Sequence, residues 1–229
     1  MIFRILFLLI FGLITERAGA QLYAGFTADF GNRISNSPTV PEGLIKRPIM
    51  PSASLTLLRD SHIKNQWLLQ YGVSVGILGY SLKALPYDSL ASNQFGIHEP
   101  FPSYGTVYLS SNLVIGRHFQ IDRRYVAVFL GGGLTLYRNW TEEGKLGSSP
   151  DVILFEYEMG RTNNTPKGFT EIDIQTNVSD RIVVGFRYRH HFNSALQGNY
   201  YFTQAKSSGQ LSLAQRALSI VFLVRITSK

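Results

Sequence analysis

The residues best able to do chemistry lie in one short stretch, Tyr188-Arg189-His190-His191-Phe192-Asn193-Ser194-Ala195. An imidazole near a hydroxyl can act as a general base on it, and a carboxylate can orient the imidazole. His191 is the candidate base and Ser194 the candidate nucleophile. Asp180 is the last carboxylate of the chain, so Glu171 or Asp173 would have to supply the acid. The plainer reading, and the one favoured, is that His190 and His191 are rim residues at a strand–loop boundary, with no catalytic residue among them. Two adjacent histidines also raise the question of a metal. Neighbouring residues on a strand point to opposite faces, so they seldom share an ion. There is no cysteine, which removes thiolate ligands, a disulfide scaffold and any thiol nucleophile. No metal and no cofactor are expected. Gly131-Gly132-Gly133 is not a phosphate loop, because no Lys-Ser/Thr follows it.

The elements that would hold these residues are strands. The chain has 229 residues, only 16% of them charged, with 27 Phe and Tyr taken together and 21 Gly. That profile excludes a disordered chain, which is rich in charge and poor in aromatics. No run of 18 apolar residues appears, but period-2 runs recur at 22–30, 52–59, 66–80, 104–118, 125–138, 169–178, 181–192 and 215–226. In the third, Trp67, Leu69, Tyr71, Val73, Val75 and Ile77 alternate with Leu68, Gln70, Gly72, Ser74, Gly76 and Leu78. The connections alternate as well. Short links at 60–65, 119–124 and 179–180 separate long ones at 31–51, 81–103, 139–168 and 193–214. Eight strands with alternating short turns and long loops predict an all-β chain, an eight-stranded antiparallel up-and-down transmembrane β-barrel.

In such a barrel the apolar face meets lipid and the polar face fills the lumen, while closure pairs every backbone donor. Glu171 and Asp173 of the sixth run and Arg187 and Arg189 of the seventh fall on inward faces. With Asp29 and Gln175 they are expected to form an interior ion-pair network that plugs the lumen, since buried charges are costly unless paired. Gly72, Gly76, Gly131 and Gly133 suit a narrow interior. Aromatics near the run ends, among them Tyr23, Phe30, Tyr80, Tyr104, Tyr108, Phe119, Tyr125, Tyr137, Trp140, Phe169 and Phe192, are expected in interfacial girdles. The loop segment 152–157 could extend strands above the membrane, and any functional specificity should sit in the loops.

The first twenty residues read as an address. Arg4 precedes the apolar run Ile5–Ile14, then Thr15-Glu16-Arg17 and Ala18-Gly19-Ala20, the layout of a cleavable signal peptide. Cleavage near Ala20 would leave residues 21–229 as the barrel domain, and no cysteine follows for a lipoprotein anchor. The formal net charge of +7 comes from 22 basic and 15 acidic residues. Their scatter points away from nucleic acid. Pairs such as Lys46-Arg47 and Arg123-Arg124 suit anionic headgroups better.

These features together resemble the small eight-stranded outer-membrane β-barrel proteins of Gram-negative bacteria, from Leu22-Tyr23-Ala24-Gly25-Phe26 to the last strand Ala217–Phe222. The Ala20-Gln21 context and Val184-Gly185-Phe186-Arg187-Tyr188 look like barrels common in the Bacteroidetes. The resemblance implies residence in the bacterial outer membrane and partners in outer-membrane lipid, lipopolysaccharide and the barrel-assembly machinery, with a surface or envelope protein as a further partner. The role it implies is non-enzymatic: structural, surface-contact or assembly. Many such barrels end in an aromatic residue, whereas this chain ends Ile226-Thr227-Ser228-Lys229. The segment at His191 is also similar to the motif of outer-membrane lipid A deacylases, which carry His, one residue, then Ser-Asn-Ala. Here Asn193 stands at the nucleophile position and Ser194 follows it. An esterase of that kind is the first alternative, and a soluble secreted ligand-binding barrel the second.

Overall fold

The structure, a computed structural model, describes residues 20–30, 33–36, 45–46, 52–64, 66–81, 83–84, 103–121, 124–138, 140–149, 152–161, 165–194, 196–202, 207–214 and 216–226. Residues 1–19 of the expected signal peptide, most of the proline-rich loops 31–51 and 81–103, and Ala195 lie outside the described residues. All regular elements among the described residues are strands. In chain order they are β1 (Gln21–Phe30), β2 (Arg33–Asn36), β3 (Ile45–Lys46), β4 (Ser52–Lys64), β5 (Trp67–Ser81), β6 (Lys83–Ala84), β7 (Ser103–Ile121), β8 (Arg124–Tyr137), β9 (Trp140–Ser149), β10 (Val152–Arg161), β11 (Lys167–Asn177), β12 (Ile182–His191), β13 (Leu196–Phe202), β14 (Ser207–Ala214) and β15 (Arg216–Arg225).

Eight of them close into an antiparallel barrel in the order β1-β15-β12-β11-β8-β7-β5-β4. Each barrel strand pairs with the barrel strands that precede and follow it, and β15 returns to β1. The alternation of short and long connections therefore places β4–β5, β7–β8, β11–β12 and both ends of the barrel chain at one rim, the short-turn end. The four long connections leave from the other, the loop end. Two of the short links are tighter than the pattern indicates. Residues 60–64 and 119–121, read as linker, continue β4 and β7. Gln66 closes the β4–β5 turn in the left-handed region, at φ 72°. Charged or polar residues at Arg59, Ser61 and Arg117 interrupt the apolar alternation, so the sequence reads as turn where Asp60 and His62 continue β4 with side chains that line the interior.

Burial follows the two-residue period. On β11 the pattern sets buried Phe169, Glu171, Asp173 and Gln175 against exposed Thr170, Ile172 and Ile174. One hydrogen-bonded row of the outer face runs Phe30, Leu218, Tyr188, Ile172, Leu130, Ile115 and Leu69 across seven strands. An apolar outer face this continuous is the reverse of a water-soluble sheet, in which the apolar side is covered.

The aromatics divide between the faces. Tyr23, Tyr108, Tyr137 and Phe169, expected in girdles, point inward and are buried, whereas Phe30, Phe119, Tyr125 and Phe192 are exposed. The side chains of Tyr80, Tyr104 and Trp140 are outside the described set. Glycines make room for the inward rings. A Cβ at Gly76 would stand 2.7 Å from Cζ of Tyr108, and one at Gly133 would stand 2.6 Å from Cζ of Phe169.

The chain also builds a sheet not foreseen as such. Strands β2, β14, β13, β10 and β9 form a five-stranded antiparallel sheet from the loops of the loop end. The segment 152–157 pairs with β9 on one side and, from Phe155, with β13 on the other. β3 and β6 make a two-residue ladder.

Candidate functional site

The densest chemistry lies inside the barrel, on the facing registers of β11 and β12. Glu171 stands opposite Arg189 and Asp173 opposite Arg187. Arg187 donates from Nε (2.9 Å) and Nη2 (2.7 Å) to Oδ2 of Asp173, and its Nε is also 3.4 Å from Oε1 of Glu171. Arg189 donates from Nε (2.9 Å) and Nη2 (2.6 Å) to Oε2 of Glu171. Its guanidinium lies over the Phe169 ring, 4.2 Å from the centroid. Charge-assisted bonds of this length are the strong kind. All four charged side chains are buried.

Neutral partners extend the cluster. Asn112 of β7 reaches past β8 to donate to Oε1 of Glu171 at 2.9 Å, over the side-chain-free positions Gly131 and Gly133. Asp29 takes its bonds from hydroxyls, Ser219 at 2.6 Å and, from the far side of β4 and β5, Tyr108 at 3.4 Å. Gln70 of β5 and Gln175 of β11 join their amides across the lumen, with Nε2 of Gln175 3.3 Å from Oε1 of Gln70. Gln70 further donates to Oδ1 of Asp60 at 2.8 Å, and Gln175 to Oδ2 of Asp173 at 3.0 Å. Thr56 and Ser74 share a hydroxyl bond of 2.9 Å. On the short-turn side of the glutamine pair lies a cup of about 360 Å³, lined by Asp60, His62, His118, Asn177 and Arg225 among others. Asn112, Ser219, Gln70, Tyr108 and Asp60 join the network beyond the residues the sequence singles out. Their signal was positional, since each shares the parity of the polar set on its own strand.

The candidate esterase residues are not brought together as a relay. His191 ends β12, points inward beside Phe169 (ring centroids 5.1 Å), and its Nε2 lies 3.0 Å from the Thr135 hydroxyl. Glu171 is held by Arg189, Arg187 and Asn112. Ser194 lies past the strand end, half-buried, after exposed Phe192 and Asn193. Among the described residues there is no group of three or more histidines and carboxylates placed to hold a metal ion.

No family model matches the chain, and no curated protein matches it in sequence. Solved structures do match its fold. The outer membrane protein OprG from Pseudomonas aeruginosa aligns over 93% of this chain and 98% of its own, at 9% identity and a TM-score of 0.51. This chain has the fold of the small eight-stranded outer-membrane barrels. AlkL, solved in lipid bilayers, aligns over 94% and 95% at 12% identity and a TM-score of 0.44. The outer membrane protease OmpT from Escherichia coli aligns over 90% and 96% at 8% identity and a TM-score of 0.35. At such identities the likeness extends to fold and no further.

Proposed function

We propose that the chain spans the bacterial outer membrane as a barrel with a plugged lumen, and that its role is structural or one of surface contact. The carrying observation is the inversion of faces: all eight barrel strands turn apolar side chains outward and enclose charge inside. An eight-stranded barrel has an interior just wide enough for side chains to fill. The Gln70–Gln175 and Tyr108–Asp29 bonds inside the barrel support the plugged reading. On this reading residues 1–20 are removed on export, the barrel-assembly machinery inserts the chain, outer-membrane lipid surrounds it, and the five-stranded sheet meets the outside. A soluble ligand-binding barrel would need the apolar residues inside. Against the deacylase alternative, the Glu171 carboxylate that would orient His191 is bound by two arginines.

Electrophoresis of folded protein, with and without boiling, tests the barrel. Membrane fractionation tests its place, and planar-bilayer conductance tests the plug. The expected results are heat-modifiable migration, recovery only with detergent, and no steady channel. Release from the periplasm without detergent would overturn the membrane assignment. Fatty-acid release from lipopolysaccharide, abolished by His191→Ala, would overturn the non-enzymatic one.

A further inference from the structure

On the outer face, at the loop-end edge of the apolar belt, three polar side chains stand side by side on adjacent strands. Thr170 of β11 is opposite His190 of β12, and His190 is opposite Arg216 of β15. Directly below runs the apolar trio Ile172, Tyr188 and Leu218. Phe192, just past the end of β12, is exposed and sets its ring edge-on to the His190 imidazole at 6.2 Å. A guanidinium, an imidazole and a hydroxyl thus stand in one outward row across three strands, the hydrogen-bond donors of an anion site side by side. The ion pairs of Glu171, Asp173, Arg187 and Arg189 lie inside the barrel, and among the described residues no carboxylate pairs with His190 or Arg216.

We propose that Thr170, His190 and Arg216 form a binding site for the phosphate of a lipid headgroup in the outer leaflet. The inference rests on the membrane-spanning reading above. A hydroxyl, an imidazole N–H and a planar guanidinium fork supply donors of the kind a phosphate monoester accepts, and the fork fits phosphate oxygens two at a time. The position fits too. From His190 to Ile182 the outward residues of β12 are Tyr188, Phe186, Val184 and Ile182, all apolar or aromatic. Eight steps of about 3.3 Å make about 26 Å along the strand, or about 20 Å along the membrane normal at the usual tilt, which covers most of the roughly 25 Å apolar band of a bilayer. His190 and Arg216 therefore stand where acyl chain gives way to headgroup, and the exposed Phe192 ring suits the same zone. The site also accounts for the adjacent histidines, of which His191 serves the interior and His190 the lipid.

The test uses protein folded into phosphatidylcholine vesicles, alone, with phosphorylated lipid A, or with dephosphorylated lipid A, and reads the melting temperature from loss of the heat-modifiable form. Phosphorylated lipid A should raise the melting temperature and dephosphorylated lipid A should not. Arg216→Ala should remove more than half of that rise, His190→Ala a smaller part, and Arg216→Lys should retain some of it. Melting in phosphatidylcholine alone should match the parent protein, which shows that the variants fold. An equal rise in all variants, an equal rise with dephosphorylated lipid A, or the same rise with inorganic phosphate alone would overturn the site. Failure of the parent protein to insert into any vesicle would instead overturn the membrane reading on which it rests.

Discussion

Strands β11 and β12 show two chemistries one residue apart. Their inner faces hold Glu171, Asp173, Arg187 and Arg189 in bonds of 2.6–2.9 Å. Their outer faces present Ile172, Ile174, Phe186 and Tyr188, all exposed. The backbone is common to both, so the difference lies entirely in what each face meets. Inside, the charges are buried, and the answer is pairing. Outside, if hydrocarbon is the solvent, the answer is the absence of charge. A soluble barrel of the same topology would exchange the two faces, so the contrast can be attacked from either side.

The largest effect should come from the inside. Arg187→Met keeps most of the side-chain volume but leaves Asp173 and one oxygen of Glu171 facing each other without their shared cation. Removing one partner of a buried pair typically costs about 3–5 kcal/mol. The unfolding free energy in vesicles, measured by urea titration, should fall by that order. The double variant Arg187→Met, Asp173→Leu should recover part of it, because no buried charge is then orphaned. A single variant as stable as the parent would show that the network is solvated and the lumen open.

The outer face gives the next effect. Phe186 stands mid-strand between Ile174 and Ile220, near the centre of the apolar belt. Phe186→Arg should destabilise the vesicle-inserted barrel by about 2–4 kcal/mol, the depth-dependent cost of arginine at the bilayer midplane. The same substitution on a water-facing sheet would fall within the small range of surface changes. A neutral result would therefore place this face in water.

The two faces were legible in the sequence because they depend on parity alone. Glu171, Asp173, Arg187 and Arg189 fall on one parity, and a one-residue slip would turn all of them to the other side. The strand ends were not legible. The apolar alternation is interrupted at Arg59 and Ser61 on β4 and at Arg117 on β7, so residues that continue the ladder, Ile63, Phe119 and Ile121 among them, read as turn. The aromatics misled for a related reason. Residue type favours strands and interfaces alike, but Tyr108 shares the parity of Thr106 and Ser110, and Phe169 that of Glu171. Parity decided their burial. The sheet built by β2, β9, β10, β13 and β14 left the weakest trace. Only the segment 152–157 reads as a possible extension, because the other four strands carry no sustained apolar–polar period.

The smallest effect is the sharpest test of parity, since it compares neighbours. His191 faces inward and meets the Thr135 hydroxyl at 3.0 Å, whereas His190 faces outward, opposite Arg216. In plain phosphatidylcholine His191→Ala should lower the unfolding free energy, and a double-mutant cycle with Thr135→Val should give a coupling of about 0.5–1.5 kcal/mol, that of one buried hydrogen bond. His190→Ala in the same vesicles should change little, because it removes no interior partner and an exposed substitution is usually near neutral. Zero coupling at His191, or an equal loss at both histidines, would mean that the two-residue period breaks before the end of β12. In that case the orientation argued for His190 and the interior role argued for His191 would fail together, because both rest on the same alternation.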